Sequence, residues 1–304
     1  MNAPVDAVVV AVGTDDHDAA LAFAATEARR SGRPLHLIHV LQLPAGEDYM
    51  GVYGGLLDSA EATLEVAMTE AEALAGDTVA VTDELVDSGW VVEELVRRTK
   101  GAGLLVLQHR DLSRVRRLFG GSVAQSVAGR AFVPVVSVPE GWRLELDPSP
   151  VVTACVQDPV EAHGLLRVAF EAARASHAEV VVLHSWWLSS GGDIVVVDAA
   201  LRDDWSARHR QEIAPVLEPL EREFPHVEVS IEVRHAPPVE AVLDAARRSD
   251  LLVLGRRHHL LPLGSHLGPV ARAALEHAAC PVLITPEDAT QDARSASELA
   301  ASRR

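Results

Sequence analysis

Residues 251–286 read LLVLGRRHHLLPLGSHLGPVARAALEHAACPVLITP. Leu251 to Leu254 is an apolar run with no polar interruption, the pattern of a strand buried on both faces of a parallel sheet. Gly255 ends the run and a loop of Gly, Arg and His follows. Gly268-Pro269 then opens an Ala-rich helical segment, with proline in the first turn where its missing N–H costs nothing. The helix is expected to stop near Cys280, and Pro281 introduces a second strand over Val282 to Thr285. Strand, glycine-bearing loop, helix and strand make a βαβ unit whose loop offers backbone N–H groups and a helix N-terminus to an anion.

The same arrangement occurs earlier, at residues 104–139, LLVLQHRDLSRVRRLFGGSVAQSVAGRAFVPVVSVP. Leu104, Gln108, Gly121, Pro134 and Pro139 each have a counterpart 147 residues later, at Leu251, Gly255, Gly268, Pro281 and Pro286. A period of tens of residues would mean a solenoid. One of domain length means two copies of a whole domain, which suits a chain of 304 residues.

The rest of each half follows the same alternation. Val5 to Val12 reads as a strand running into Gly13-Thr14-Asp15-Asp16, Asp18 to Arg30 as an Ala-rich helix closed by Gly32, and Leu35 to Leu41 as a second strand. Pro44 to Gly55 is a long loop, either a cover for a ligand or a plain connection. A helix is expected over Asp58 to Leu74, a strand over Thr78 to Val86, and a short helix over Trp90 to Thr99 with Glu93, Glu94, Arg97 and Arg98 on its outer face. Gly141 to Pro150 reads as the linker. In the second half the strands are expected at Val151 to Val156, Glu179 to Ser185 and Val227 to Val233, and the helices at Val160 to Ser176, Asp204 to Glu223 and Pro238 to Arg248. Pro215 and Pro219 are expected to interrupt or kink the second of these helices. Each half is thus a five-stranded parallel sheet with helices on both faces. The polar tail from Glu287 to Arg304 is expected to be disordered.

Composition narrows the function. With 48% hydrophobic and 23% charged residues the chain is an ordinary globular one, and no apolar run reaches membrane-spanning length. The N-terminus has no basic region ahead of its first apolar run, which together with two unpaired cysteines, Cys155 and Cys280, reads as a reduced cytoplasmic protein. A net charge of −17 disfavours nucleic-acid and anionic-membrane partners. His109-Arg110-Asp111-Leu112 spells the start of a kinase catalytic loop, but the required Asn is Arg116 and the other kinase elements are missing. No nucleophile, base and orienter set is recognisable. His258 and His259 are adjacent, and His36 and His39 face opposite sides of a strand, so the histidines read as surface or core residues rather than zinc ligands.

The strand ending in Gly-x2-Gly-x9-Gly-(Ser/Thr), followed by a helix and a Cys-Pro-Val-type strand, resembles the nucleotide loop of the universal stress protein family, here as a tandem pair. The matching positions are Gly255, His258, Gly268 and Pro269 in the second half, and Gln108, Asp111, Gly121 and Ser122 in the first. The spacing is kept in both, but only the third glycine survives in both, the second is replaced in both, and the Ser/Thr is absent from the second. The resemblance spans roughly residues 5 to 286. It implies two tandem flavodoxin-like (adenine nucleotide alpha hydrolase-like) α/β domains, residues 1–140 and 151–286. It further implies an intramolecular pseudo-dimer in which the final strands, Val135 to Val138 and Val282 to Thr285, meet; a homodimer beyond it stays open.

In family members that bind ATP, an Asp ending the first strand contacts adenine, a residue ending the second strand lies nearby, and the phosphates rest on the glycine loop. Carried onto this chain, the first-strand position falls on Gly13 and on Val156, with Asp15 and Asp158 two residues further on. The second-strand position falls on Val40 and Ser185. Arg110, Arg114, Arg116 and Arg117 crowd the first loop, and Arg256, Arg257, His258 and His259 the second. Positive charge beside a helix N-terminus favours an anion, and equally such arginines can lie over a sheet edge or pair with carboxylates. Two readings therefore stand. One is a non-catalytic stress-response binding or sensing module whose nucleotide loops have become structural; the other is an ATP-binding member, slow hydrolysis included. ATP is the only cofactor implied, and no metal.

Overall fold

The protein is described from a computed structural model that covers residues 2–14, 16–42, 53–109, 123–144, 148–187, 199–256 and 267–286. Asp15, Arg110, Asp111, Gly121, Ser122, Arg257 and His258, most of the loop from Pro44, and the tail beyond Pro286 lie outside these residues. The chain divides into two compact units, Met1–Glu145 and Leu146–Arg304.

The first unit runs β1 (Val8–Val12), α1 (Asp18–Ser31), β2 (Leu35–Val40), α2 (Tyr53–Ala75), β3 (Val81–Val86), α3 (Val91–Arg98), β4 (Leu104–His109), α4 (Val123–Ala128) and β5 (Val135–Pro139). Its strands pair in parallel in the order β3-β2-β1-β4-β5. The second unit runs β6 (Val151–Cys155), a 3-10 turn (Pro159–Glu161), α5 (His163–Ser176), β7 (Glu179–Trp186), α6 (Ala199–Glu223), β8 (Val229–His235), α7 (Pro238–Ala245), β9 (Leu251–Gly255), α8 (Pro269–His277) and β10 (Val282–Thr285). Its order, β8-β7-β6-β9-β10, is the same.

The central strands are apolar without alternation because helices cover both faces: Val8, Val9, Val10, Leu105 and Val106 are wholly buried, as are Leu252 and Val253. β3, at one edge, is less buried and exposes the consecutive polar residues Thr82 and Asp83, which discourage edge-to-edge pairing. α1 packs through Ala20, Leu21, Ala24, Ala25 and Ala28, whose short side chains let helix and sheet approach closely. Its end is a left-handed Gly32 (φ 69°) whose N–H donates to the Ala28 carbonyl. In the second unit Phe170 of α5 is wholly buried and meets Phe224 with ring centroids 5.6 Å apart.

Several elements differ from their sequence expectation. β1 begins at Val8 rather than Val5, which is exposed. α2 begins at Tyr53 rather than Asp58; Gly54 and Gly55 lower helix propensity by about 1 kcal/mol each without forbidding the first turn. α6 is not interrupted at Pro215 and Pro219 but runs through both. Both prolines lie on its exposed side, opposite buried Ile213, Leu217 and Leu220, so carbonyls deprived of an N–H partner face water. Arg98 is not on an outer face: its guanidinium joins Glu94 of the same helix (2.8 Å) to Glu84 of β3.

Truncating the Phe170 side chain should leave a cavity that the α5–α6 contact cannot close. Phe170→Ala is expected to destabilise the second unit by about 3–5 kcal/mol, read as a lowered midpoint of its urea transition.

Candidate functional site

In both units the chain order reverses next to the first strand, between β1 and β4 and between β6 and β9. The crevice outside the carboxyl ends of such strands is where open α/β sheets bind ligands. Both crevices are present here.

One contact is built identically into each. His39, the last residue but one of β2, is buried, and its Nδ1–H donates to the Val12 carbonyl oxygen at 2.9 Å. His184, the counterpart on β7, donates from Nδ1 to the Val156 carbonyl at 3.0 Å. Burial pushes both imidazoles below their ordinary value, with the hydrogen bond to the carbonyl acting the other way and the neighbouring imidazole, His17 or His209, adding to the depression. The matched contact also sets the correspondence between the halves. Val156 is the partner of Val12, and Gln157 rather than Val156 stands opposite Gly13. Counting residues along the chain misses this because strand register is set by pairing across the sheet, not by loop length.

In the first unit the crevice is a cavity of about 280 Å³ bordered by Gly13, Thr14, Val40, Leu107 and Gln108, with Val91, Leu95 and Val123 from the covering helices. Of the expected site residues, Gly13, Val40 and Gln108 are therefore brought together. Gln108 does more than border it. Its Oε1 accepts the Ala20 N–H (3.0 Å) and its Nε2 donates to the Asp16 carbonyl (3.0 Å), so the side chain spans from β4 to the start of α1. The Asp16 carboxylate accepts the Asp18 N–H at 3.1 Å. The opening turn of α1 is thus capped from within the protein.

In the second unit the cavity is about 540 Å³, bordered by Val156, Gln157, Asp158, Ser185, Gly255, Arg256 and Gly268 among others. Gly255 takes the place of Gln108 and sends nothing across: a Cβ built there would lie 3.4 Å from Leu165 Cδ1 and 3.8 Å from Thr285 Oγ1. Gly268 is the N-cap of α8 with Pro269 at its first position, and Val270 and Ala271 of the first turn border the cavity. Asp158 caps the 3-10 turn, its carboxylate accepting the Val160 N–H at 2.9 Å. Cys155 also borders this cavity; burial pushes its thiol, like that of Cys280, up to about 12, which keeps both protonated and unreactive at neutral pH. The roles of Gln108, His39 and His184 escaped the reading of the sequence. The repeated His near the end of each second strand, in LHLIHV and VVLHSW, was the available signal.

No helix among the described residues is long and apolar enough to cross a membrane. The sequence profile described as the Universal stress protein family matches residues 4–139 and again residues 151–286. A universal stress protein of Mycolicibacterium smegmatis is 26% identical over 288 residues, covering 90% of this chain and 96% of its own length. One of Mycobacterium tuberculosis is 28% identical over 292 residues, covering 91% and 96%. Among solved structures, a universal stress protein from Archaeoglobus fulgidus superimposes with a TM-score of 0.63 at 16% identity over 92% of this chain and 97% of that one, a likeness of fold.

The two buried imidazoles make stability depend on pH with a definite sign. Their pKa values are lower folded than unfolded, so the unfolded chain binds more protons below the ordinary value, and stability, complete above it, falls as the pH drops through about 6.5. The urea midpoint is expected to fall between about pH 7.5 and about pH 5.5, and His39→Gln with His184→Gln should flatten that slope.

Proposed function

We propose, from the premise that this chain belongs to the universal stress protein family and carries its domain twice, that it is a stress-response binding and sensing module without turnover, whose second unit takes an adenine nucleotide. The observation that carries this is the exchange of Gln108 for Gly255 at the same corner of the two sheets. In the first unit the amide spans from β4 to α1 and the cavity is about 280 Å³; in the second no side chain crosses from β9, Leu165 of α5 lies beside Gly255, and the cavity is about 540 Å³. Small-molecule sites run from about 300 to 1,000 Å³, so the second has room for a nucleotide and the first falls just short.

The chemistry of the second crevice suits such a ligand. Gly268 and the first turn of α8 supply a helix N-terminus, and Arg256 adds positive charge beside it. Gln157 and Ser185, at the ends of the first and second strands, offer neutral hydrogen-bonding groups at the position where the resemblance places the base. Glu161 and Asp158 also border the cavity, but Asp158 is engaged in capping. The reading without hydrolysis is supported by the engagement of one of these two carboxylates in capping the 3-10 turn, which does not leave the pair free to hold Mg²⁺ for catalysis. A cytoplasmic location belongs to the same proposal.

Calorimetric titration of ATP and AMP into protein freed of carried-over ligand tests the assignment. Micromolar binding at one site is expected, weakened by at least about tenfold in Gly255→Gln, whose side chain, with Leu165 beside it, would be turned into the cavity, and retained in Gln108→Gly. Absence of binding at millimolar ATP would overturn it and leave a pure interaction module.

A further inference from the structure

We propose that His17, Asp18 and Glu70 form a site for a divalent transition-metal ion of the zinc class, which would clip the start of α1 to α2 in the first unit. Among the described residues these are the three whose ligand atoms converge: one from each side chain lies within 4.8 Å of the other two. Ligands of a tetrahedral zinc ion, at 2.0–2.2 Å from the metal, stand about 3.3–3.6 Å apart. Only modest rotation of Asp18 and Glu70, which are exposed, would close the set around an ion, while His17 is 9% exposed and held in place.

Side-chain capping of α1 does not account for the convergence of the three. His17 is the N-cap residue of α1 but makes no capping bond to its own helix. The opening turn is served by Asp16, which accepts the Asp18 N–H, and by Gln108, which accepts the Ala20 N–H. No ion pair joins Asp18 or Glu70 to a cationic side chain among the described residues. Among the described residues, two carboxylates from different helices therefore approach one another with neither paired to an Arg or Lys, beside an imidazole, and like charges so placed repel. A dication between them turns that repulsion into attraction.

The donor set selects the class of ion. One imidazole nitrogen with two carboxylate oxygens suits zinc, cobalt, nickel or manganese, whereas calcium and magnesium prefer an all-oxygen shell. Three protein ligands leave a fourth position for water. His17 also borders the cavity of the first unit, so that position can be reached from the crevice that Gln108 has narrowed. The metal would thus take over in the first unit a corner that is too small for the nucleotide assigned to the second. The site is independent of that assignment.

Metal-stripped full-length protein should be titrated with Zn²⁺ by calorimetry and with Co²⁺ by visible absorption. One site is expected, with the intense absorption bands of low-coordinate cobalt and a melting temperature that rises with zinc concentration. Glu70→Gln, an exposed change that leaves the fold intact by circular dichroism, should weaken zinc by about tenfold or more and abolish the cobalt bands, as should His17→Gln. Absence of binding would overturn the proposal. So would unchanged affinity in both variants, or loss of the site on replacing His258 and His259 instead.

Discussion

Covering a parallel sheet on both faces is the constraint on which each unit rests. Strands whose two faces are both out of water must be apolar throughout, as Val8–Val12 and Leu251–Gly255 are, and must satisfy their backbone groups on each other. Because every crossover returns over a helix, all five carboxyl ends emerge on one side. Residues as far apart in the chain as Gly13, Val40 and Gln108 thereby border one crevice. That crevice is a by-product of the covering, and it exists in both units whether or not a ligand uses it.

What distinguishes the units is side-chain chemistry laid on a shared backbone. His39 and His184 make the same buried bond to the end of the neighbouring strand, so the frame of the crevice is kept. At the end of the next strand, however, one unit has an amide long enough to reach the helix opposite and the other has a hydrogen atom. Gln108 satisfies with protein the Ala20 N–H in the first turn of α1, and the space it occupies is lost to any ligand. A duplicated domain can in this way keep its frame in both copies while the two crevices diverge in size and lining.

The elements that the sequence foretold well are those whose local signals agree. Gly32 after the Ala-rich α1 and Pro269 at the start of α8 mark helix ends by backbone chemistry alone. Where local and tertiary preferences conflict, the reading went astray. Pro215 and Pro219 argue locally for an interruption or a kink, and the interruption does not occur, because the buried stripe of Ile213, Leu217 and Leu220 holds α6 in one piece. Arg98 looks like a surface residue in an amphipathic helix, yet β3 brings Glu84 to it.

The duplication, the βαβ order and the glycine positions were determined by the sequence alone, because apolar periodicity, proline and glycine act within a few residues of themselves. Three things awaited the tertiary structure: the register that pairs Val156 with Val12, the reach of Gln108 to Ala20, and the meeting of His17 and Asp18 with Glu70. Each depends on how far apart two elements sit and how they are turned toward one another, and those distances are set by the packing of helices on a sheet, which no single stretch of chain encodes.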